Sequence, residues 1–162
     1  MPLRPATNAD LGQIIDIWNP IIRDTDVTFN SVEKTRQSLK SELDRKAELG
    51  HPFLVAEIKG AVVGFATYGQ FRASNGYARS MEHTIILADE ARGSGLGRAL
   101  MSQIEAHARA RKIHSMWAGV SHRNRCALEF HRAIGYVQIA CLPEVGWKFD
   151  RWYDLVLMQK IL

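Results

Sequence analysis

A chain of 162 residues with 21 Lys and Arg against 17 Asp and Glu carries a formal charge of +4 and a pI near 9.3. That length supports one domain with a sizeable core, since about 150 residues already bury roughly two-thirds of the surface an unfolded chain exposes. The positive charge is scattered, which suits a small anionic ligand and argues against a nucleic-acid surface; no run approaches the roughly 18 apolar residues of a membrane span.

The cysteines, Cys126 and Cys141, have no metal-ligand spacing and make no disulfide framework, so a reducing, cytoplasmic setting without a metal is expected. No repeat, linker or low-complexity tract interrupts residues 1–162, which read as a single unit. "PLRPA" predicts a short edge strand. Leu11, Ile14, Ile15 and Trp18 then form a helical stripe, opened by Thr7 or Asn8 and expected to stop at Pro20. A second helix is expected from Ser31 to Gly50, with Leu39, Leu43 and Ala47 at helical spacing. "FLVAEI" and "AVVGFATYGQF", joined by "KG", predict an antiparallel pair, and "MEHTIIL" the next strand. A helix from about Leu96 to Arg111, the strand "SMWAGV", the helix "NRCALEFHRAIG" closed by Gly135, and the strands "YVQIACL" and "RWYDLVLMQKIL" complete an α/β chain with crossover helices packed on a sheet.

Between "TIIL" and the third helix lies "RGSGLGR", three glycines in five residues at a helix entrance. Glycine costs about 0.5–1 kcal/mol relative to alanine in regular structure, so the cluster needs a reason. One reading is a tight strand-to-helix connection; the other is a cradle whose N–H groups face an anion held over the helix N-terminus. A P-loop would need Gly-Lys-Ser/Thr and a dinucleotide fingerprint Gly-x-Gly-x-x-Gly, and neither is present.

Arg92-x-x-Gly95-x-Gly97 resembles the Gln/Arg-x-x-Gly-x-Gly/Ala signature of the GNAT superfamily of N-acetyltransferases. "NRCALEFHRAIGY" resembles its second segment and "MEHTIIL" the strand beside the thioester. The tail "VGWKFDRWYDLVLMQ" is similar to the phosphinothricin and methionine sulfone/sulfoximine acetyltransferase branch. The resemblance implies a mixed central sheet of six to seven strands with helices on both faces, acetyl-CoA as cosubstrate, and a homodimer. Arg92, Gly93, Ser94, Gly95, Leu96, Gly97 and Arg98 would receive the pyrophosphate, the backbone of Ile85, Ile86 and Leu87 would run beside the pantetheine, and Asn124 would touch the coenzyme or simply cap its helix. Ala127 stands where many relatives have Ser.

Acetyl transfer needs a neutral amine, yet an α-amine with a pKa near ~8 is mostly protonated at pH 7. Glu82 is the candidate base, against the alternative of a salt bridge to Arg72 or Arg79. His131, four positions before Gly135, sits where many relatives have the Tyr that protonates the thiolate, and reads either as that acid or as a satisfied helix histidine. His51, His107, His114 and His122 are expected at the surface. Arg72 and Tyr77 match the branch's substrate loop, whereas Ala78 and Arg79 shift the arginine expected after the Tyr; Phe29, Lys148 and Trp152 are further pocket candidates. The activity implied is acetylation of the α-amine of a small amino acid or analogue by direct attack in a ternary complex. Protein N-termini or polyamines as acceptors, and a non-catalytic acyl-CoA-binding domain, are the alternatives.

Overall fold

The apolar periodicities become seven strands and four helices in the computed structural model, which describes residues 3–162. The strands are β1 (Leu3–Pro5), β2 (Phe53–Ile58), β3 (Ala61–Gln70), β4 (Ser80–Leu87), β5 (Ser115–Ser121), β6 (Val137–Lys148) and β7 (Arg151–Ile161). They form one mixed sheet in the order β1-β2-β3-β4-β5-β7-β6, antiparallel throughout except for β4 beside β5. The helices are α1 (Leu11–Asp24), α2 (Arg36–Glu48), α3 (Leu96–Ala110) and α4 (Arg125–Ala133).

Three expected boundaries move, the simplest being β6, which runs on to Lys148 past the expected end at Leu142. Pro20 lies inside α1 and does not end it. An interior proline loses an N–H bond and costs about 3 kcal/mol, but Ile22, fully buried two residues later, keeps the helix going. It ends where the Thr25 hydroxyl donates to the Ile21 carbonyl at 2.7 Å. The second helix starts at Arg36 and not near Ser31, because Thr35 and Ser38 cap each other: Ser38 N–H donates to Thr35 Oγ1 at 3.0 Å and Thr35 N–H to Ser38 Oγ at 2.9 Å.

Each sheet face carries its own core. Ile14, Trp18 and Ile22 of α1 and Leu39 of α2 pack on Val55, Phe65 and Ile86. On the other face Leu96, Leu100 and Ile104 of α3 and Leu128 of α4 pack on Tyr68, Met81, Met116 and Met158. The alternation of β4 therefore matters: Glu82, Thr84 and Ile86 face α1 and α2, while Met81, His83, Ile85 and Leu87 face α3 and α4.

One pairing sets the site. The parallel strands β4 and β5 register only at Ser80↔Ser115, Met81↔Met116 and Glu82↔Trp117. Past Glu82, β4 remains paired with β3 as far as Leu87, and β5 with β7 as far as Ser121. The facing edges of residues 83–87 and 118–121 thus splay, exposing backbone groups to the gap.

Gly64 is fixed by the close approach of β3 to the end of β4. A Cβ there would overlap Leu87 Cδ2 and reach within 2.8 Å of the Ile86 carbonyl oxygen. Gly64→Ala should therefore destabilise the protein by about 1–3 kcal/mol in urea unfolding. An unchanged midpoint would contradict this packing.

Candidate active site

The glycine-rich segment opens α3 directly beyond β4. Gly93 and Gly95 have φ of +73° and +85°, in the left-handed region that favours glycine, and a Cβ on either would meet no protein atom within 4 Å. Gly97 differs: its Cβ would meet Leu87 Cδ1 at 3.2 Å and the Phe130 ring at 3.3 Å, so it serves the packing of α3 between β4 and α4. The first backbone bond of the helix runs from Ala99 N–H to Gly95 O at 3.1 Å, leaving the N–H groups of Gly97 and Arg98 as the unsatisfied donors of a helix start. Open space, left-handed glycines and free donors at the positive end of a helix dipole fit a pyrophosphate. Arg92 is exposed and ion-paired with Asp89 at 3.1 Å; Arg98 leans on the Ala133 carbonyl at 3.4 Å; Ser94 Oγ donates to Ala91 O. Across the splay, Asn124 caps α4, its Oδ1 accepting from Ala127 N–H at 3.1 Å.

Glu82 is the last residue of β4 paired to β5, and it points to the face opposite α3. Its carboxylate lies over Gly119, with Oε1 2.8 Å from where a Cβ on that residue would stand. No ion pair among the described residues involves Glu82, so the salt bridges to Arg72 or Arg79 weighed above are not formed. Burial pushes its pKa above the usual carboxylate value.

On the other face the neighbouring His83 meets His131 of α4 across the splay, Nε2 to Nε2 at 3.2 Å, with ring centroids 5.0 Å apart. His131 Nδ1 must donate to the Ala127 carbonyl at 2.6 Å, which leaves its Nε2 as the acceptor for His83 Nε2–H. Both rings are buried, and burial lowers both pKa values, so the neutral pair is favoured. His131 thus has no free N–H in this arrangement, and the unpartnered nitrogen is His83 Nδ1.

The acceptor-side candidates separate. Arg72 is exposed, its guanidinium 5.7 Å from the Phe71 ring; Tyr77 meets Phe71 edge-on at 6.4 Å; Phe71 stacks on Trp117 at 4.8 Å beside Glu82. Phe29 stacks on Tyr153 at 5.5 Å, and Leu155, two residues on, shares the surroundings of Gly119 with Glu82. These groups form one face. Arg79 does not join them, because it donates to the Lys112 carbonyl at 2.9 Å on the α3–β5 connection. Trp152 alternates away from Tyr153 and packs against Trp147 at 4.9 Å on the exposed β6–β7 surface. Lys148 is turned inward to loop carbonyls. Phe71, Trp117, Gly119, Tyr153, Leu155 and His83 were not singled out from the sequence; a glycine inside the "SMWAGV" strand was the one available signal of a close approach. His107 and His51, expected at the surface, are half-buried around Tyr68, whose hydroxyl lies 2.7 Å from His107 Nδ1.

A cradle at the start of α3, a splay between parallel strands and a helix crossing back over it define a coenzyme A-dependent acyltransferase. The Acetyltransferase (GNAT) family matches residues 17–136, and the chain belongs to that family. It is 35% identical over 97% of its length, and 92% of the relative's, to an L-methionine sulfoximine/L-methionine sulfone acetyltransferase of Pseudomonas paraeruginosa. The fold superposes with TM-score 0.96 and 38% identity on a ribosomal-protein-alanine N-acetyltransferase from Brucella melitensis, covering both chains fully. It also superposes with TM-score 0.94 and 30% identity on a phosphinothricin acetyltransferase from Sinorhizobium meliloti in complex with acetyl-CoA, covering 99% of this chain and 88% of that one. The protein is an N-acetyltransferase with acetyl-CoA as cosubstrate.

Gly95→Ala adds a methyl group to the open side of the cradle and costs about 1 kcal/mol of backbone strain, which leaves the fold intact. Calorimetry should show acetyl-CoA binding weakened about tenfold or more. Unchanged affinity in a folded variant would reduce the glycine to a turn residue.

Proposed function

We propose that the protein acetylates the α-amine of a small amino acid or analogue, such as methionine sulfone, methionine sulfoximine or phosphinothricin, by direct attack within a ternary complex. One observation carries the reading: Glu82 sits at the point where β4 and β5 part, partly buried and in no ion pair among the described residues, on the face opposite the cradle. When bound, acetyl-CoA supplies an activated thioester. The cradle and the N-terminus of α3 hold its phosphates, and the free edge of Ile85 to Leu87 pairs with its amide-bearing arm. Glu82 removes the ammonium proton of the acceptor, directly or through a water; its raised pKa makes it a stronger base than an ordinary carboxylate. His131 supports proton return to the thiolate through its link to His83: both N–H groups of the neutral pair are engaged, so His83 Nδ1 first takes a proton from solvent and that N–H then passes it to the sulfur, which returns the pair to neutrality. Cys141 lies on β6, three strands from β4, and Cys126 on α4, which packs on the face opposite Glu82, so direct attack is favoured over an acyl-cysteine route, and two free thiols suit a reducing cytoplasm.

Arg72, beside Phe71 and Trp117, is the group proposed to hold the acceptor carboxylate by paired charge-assisted hydrogen bonds. The edge strand β6 exposes Val137, Ile139, Val145 and Trp147 beside Trp152 and Phe149, an apolar surface that supports a homodimer. A second reading, acetylation of a protein N-terminus, is favoured by the function named for the Brucella neighbour. Polyamines suit the site less well, since the guanidinium of Arg72 beside Phe71 repels a cation.

Glu82→Gln should lower turnover about 10²–10⁴-fold near neutral pH while coenzyme affinity holds. In the parent enzyme the base works only when ionised, so the rate should rise with pH through the raised Glu82 pKa, and this limb should vanish in the variant. A pH profile shared by both proteins would remove Glu82 from the chemistry.

Arg72→Ala should raise KM for methionine sulfone about tenfold or more and leave KM for acetyl-CoA unchanged, because one charge-assisted contact is lost from ground and transition states alike. Faster acetylation of an alanine-terminated peptide than of any free amino acid, with acceptor KM insensitive to Arg72, would move the assignment to protein N-termini.

A further inference from the structure

Lys148 is a charged residue that is only 4% exposed, and its charge is not met by any ion pair among the described residues. Its Nζ donates to the carbonyls of Thr25 at 2.6 Å and Thr28 at 2.8 Å. Both belong to the loop between α1 and α2. Taking an ammonium out of water is costly and is tolerated only with hydrogen bonds in place, so the two loop carbonyls are what hold this charge. Within residues 25–30 the loop's own bonds are long turns, Val27 N–H to Thr25 Oγ1 and Asn30 N–H to Thr28 Oγ1, each at 3.3 Å, whereas its far end is held separately by Asn19, which bonds the N–H and carbonyl of Lys34 at 2.8 and 2.9 Å.

A second observation, independent of the charge, lies two residues away on the same face of β6. Gly146 pairs with Tyr153, and a Cβ on Gly146 would overlap the Phe29 ring. Only a residue without a side chain lets Phe29 lie down on Tyr153, as it does at 28° between rings. Asp26 of the same loop is tied to Arg123 at 3.2 Å. From Tyr153 the face continues through Leu155, 3.6 Å from the Cβ position of Gly119, to Glu82.

We infer that Lys148 and Gly146 are positioning residues that latch the α1–α2 loop onto the β6–β7 hairpin, and that the latch sets Phe29 as the wall limiting the acceptor's side chain. The second half rests on reading the Glu82 face as the acceptor side. Lys148 is therefore a loop anchor and not a substrate ligand. The latch fixes the middle of the loop as a boundary, and the size of the acceptor accepted depends on it.

Hydrogen exchange of the unliganded protein reads the latch without any substrate. Lys148→Met removes the donor, and Gly146→Ala displaces Phe29 while leaving the charge alone. Each should speed exchange in residues 25–30 by about tenfold or more, with β3 amides unchanged. Both variants should also raise acceptor KM several-fold at constant KM for acetyl-CoA, and relax the preference between small and bulky amino acids. Unaltered exchange in Gly146→Ala, which keeps Lys148 in place and so does not depend on that variant folding, overturns the latch. Faster exchange with an unaltered acceptor KM and preference overturns Phe29 as the wall. If the parent acetylates peptides but no free amino acid, the proposed function fails, while the exchange result still decides the latch.

Discussion

Everything about the site depends on how little of β4 pairs with β5. Three registered residues join them, and both strands then follow their antiparallel partners away from each other. Parallel pairing is somewhat weaker per residue than antiparallel, so the long ladders to β3 and β7 dictate the geometry and the parallel junction gives way. The result is a gap through the middle of the sheet.

Because side chains alternate along a strand, the two residues at the mouth of that gap work on opposite faces. Glu82 faces the aromatic surface formed by Phe71, Trp117, Tyr153 and Phe29, and His83 faces α4 and pairs with His131. In the proposed mechanism a carboxylate on one side and an imidazole pair on the other, separated by a single peptide unit, let proton loss from the acceptor and proton return to the coenzyme sulfur be handled by different groups. The helix dipole of α3 adds the third component, an anion site at the far end of the same strand. Burial makes Glu82 more basic and disfavours charge on the histidines, so one physical cause adjusts both groups.

The parts legible in the sequence were those written in local pattern. Helical and strand periods located all four helices and the strands, and the glycine cluster marked the start of α3. Pro20 misled because the burial of Ile22 outweighs the local penalty. The splay itself was not legible, since it results from competition between strands distant in the chain, and His83 could not be linked to a partner 48 residues away. Lys148 and Trp152 were read as pocket residues from their place in the tail, but strand alternation sends one inward to loop carbonyls and the other to the open β6–β7 surface.

The most direct test is a crystal structure of the protein with coenzyme A and methionine sulfone bound together. The account predicts the sulfone's amine on the α1–α2 face, within 2.6–3.2 Å of a Glu82 oxygen or joined to it by one water, and the coenzyme sulfur reaching it through the gap between β4 and β5. An acceptor amine bound on the α3–α4 face, or held away from Glu82 with no water between them, would contradict it.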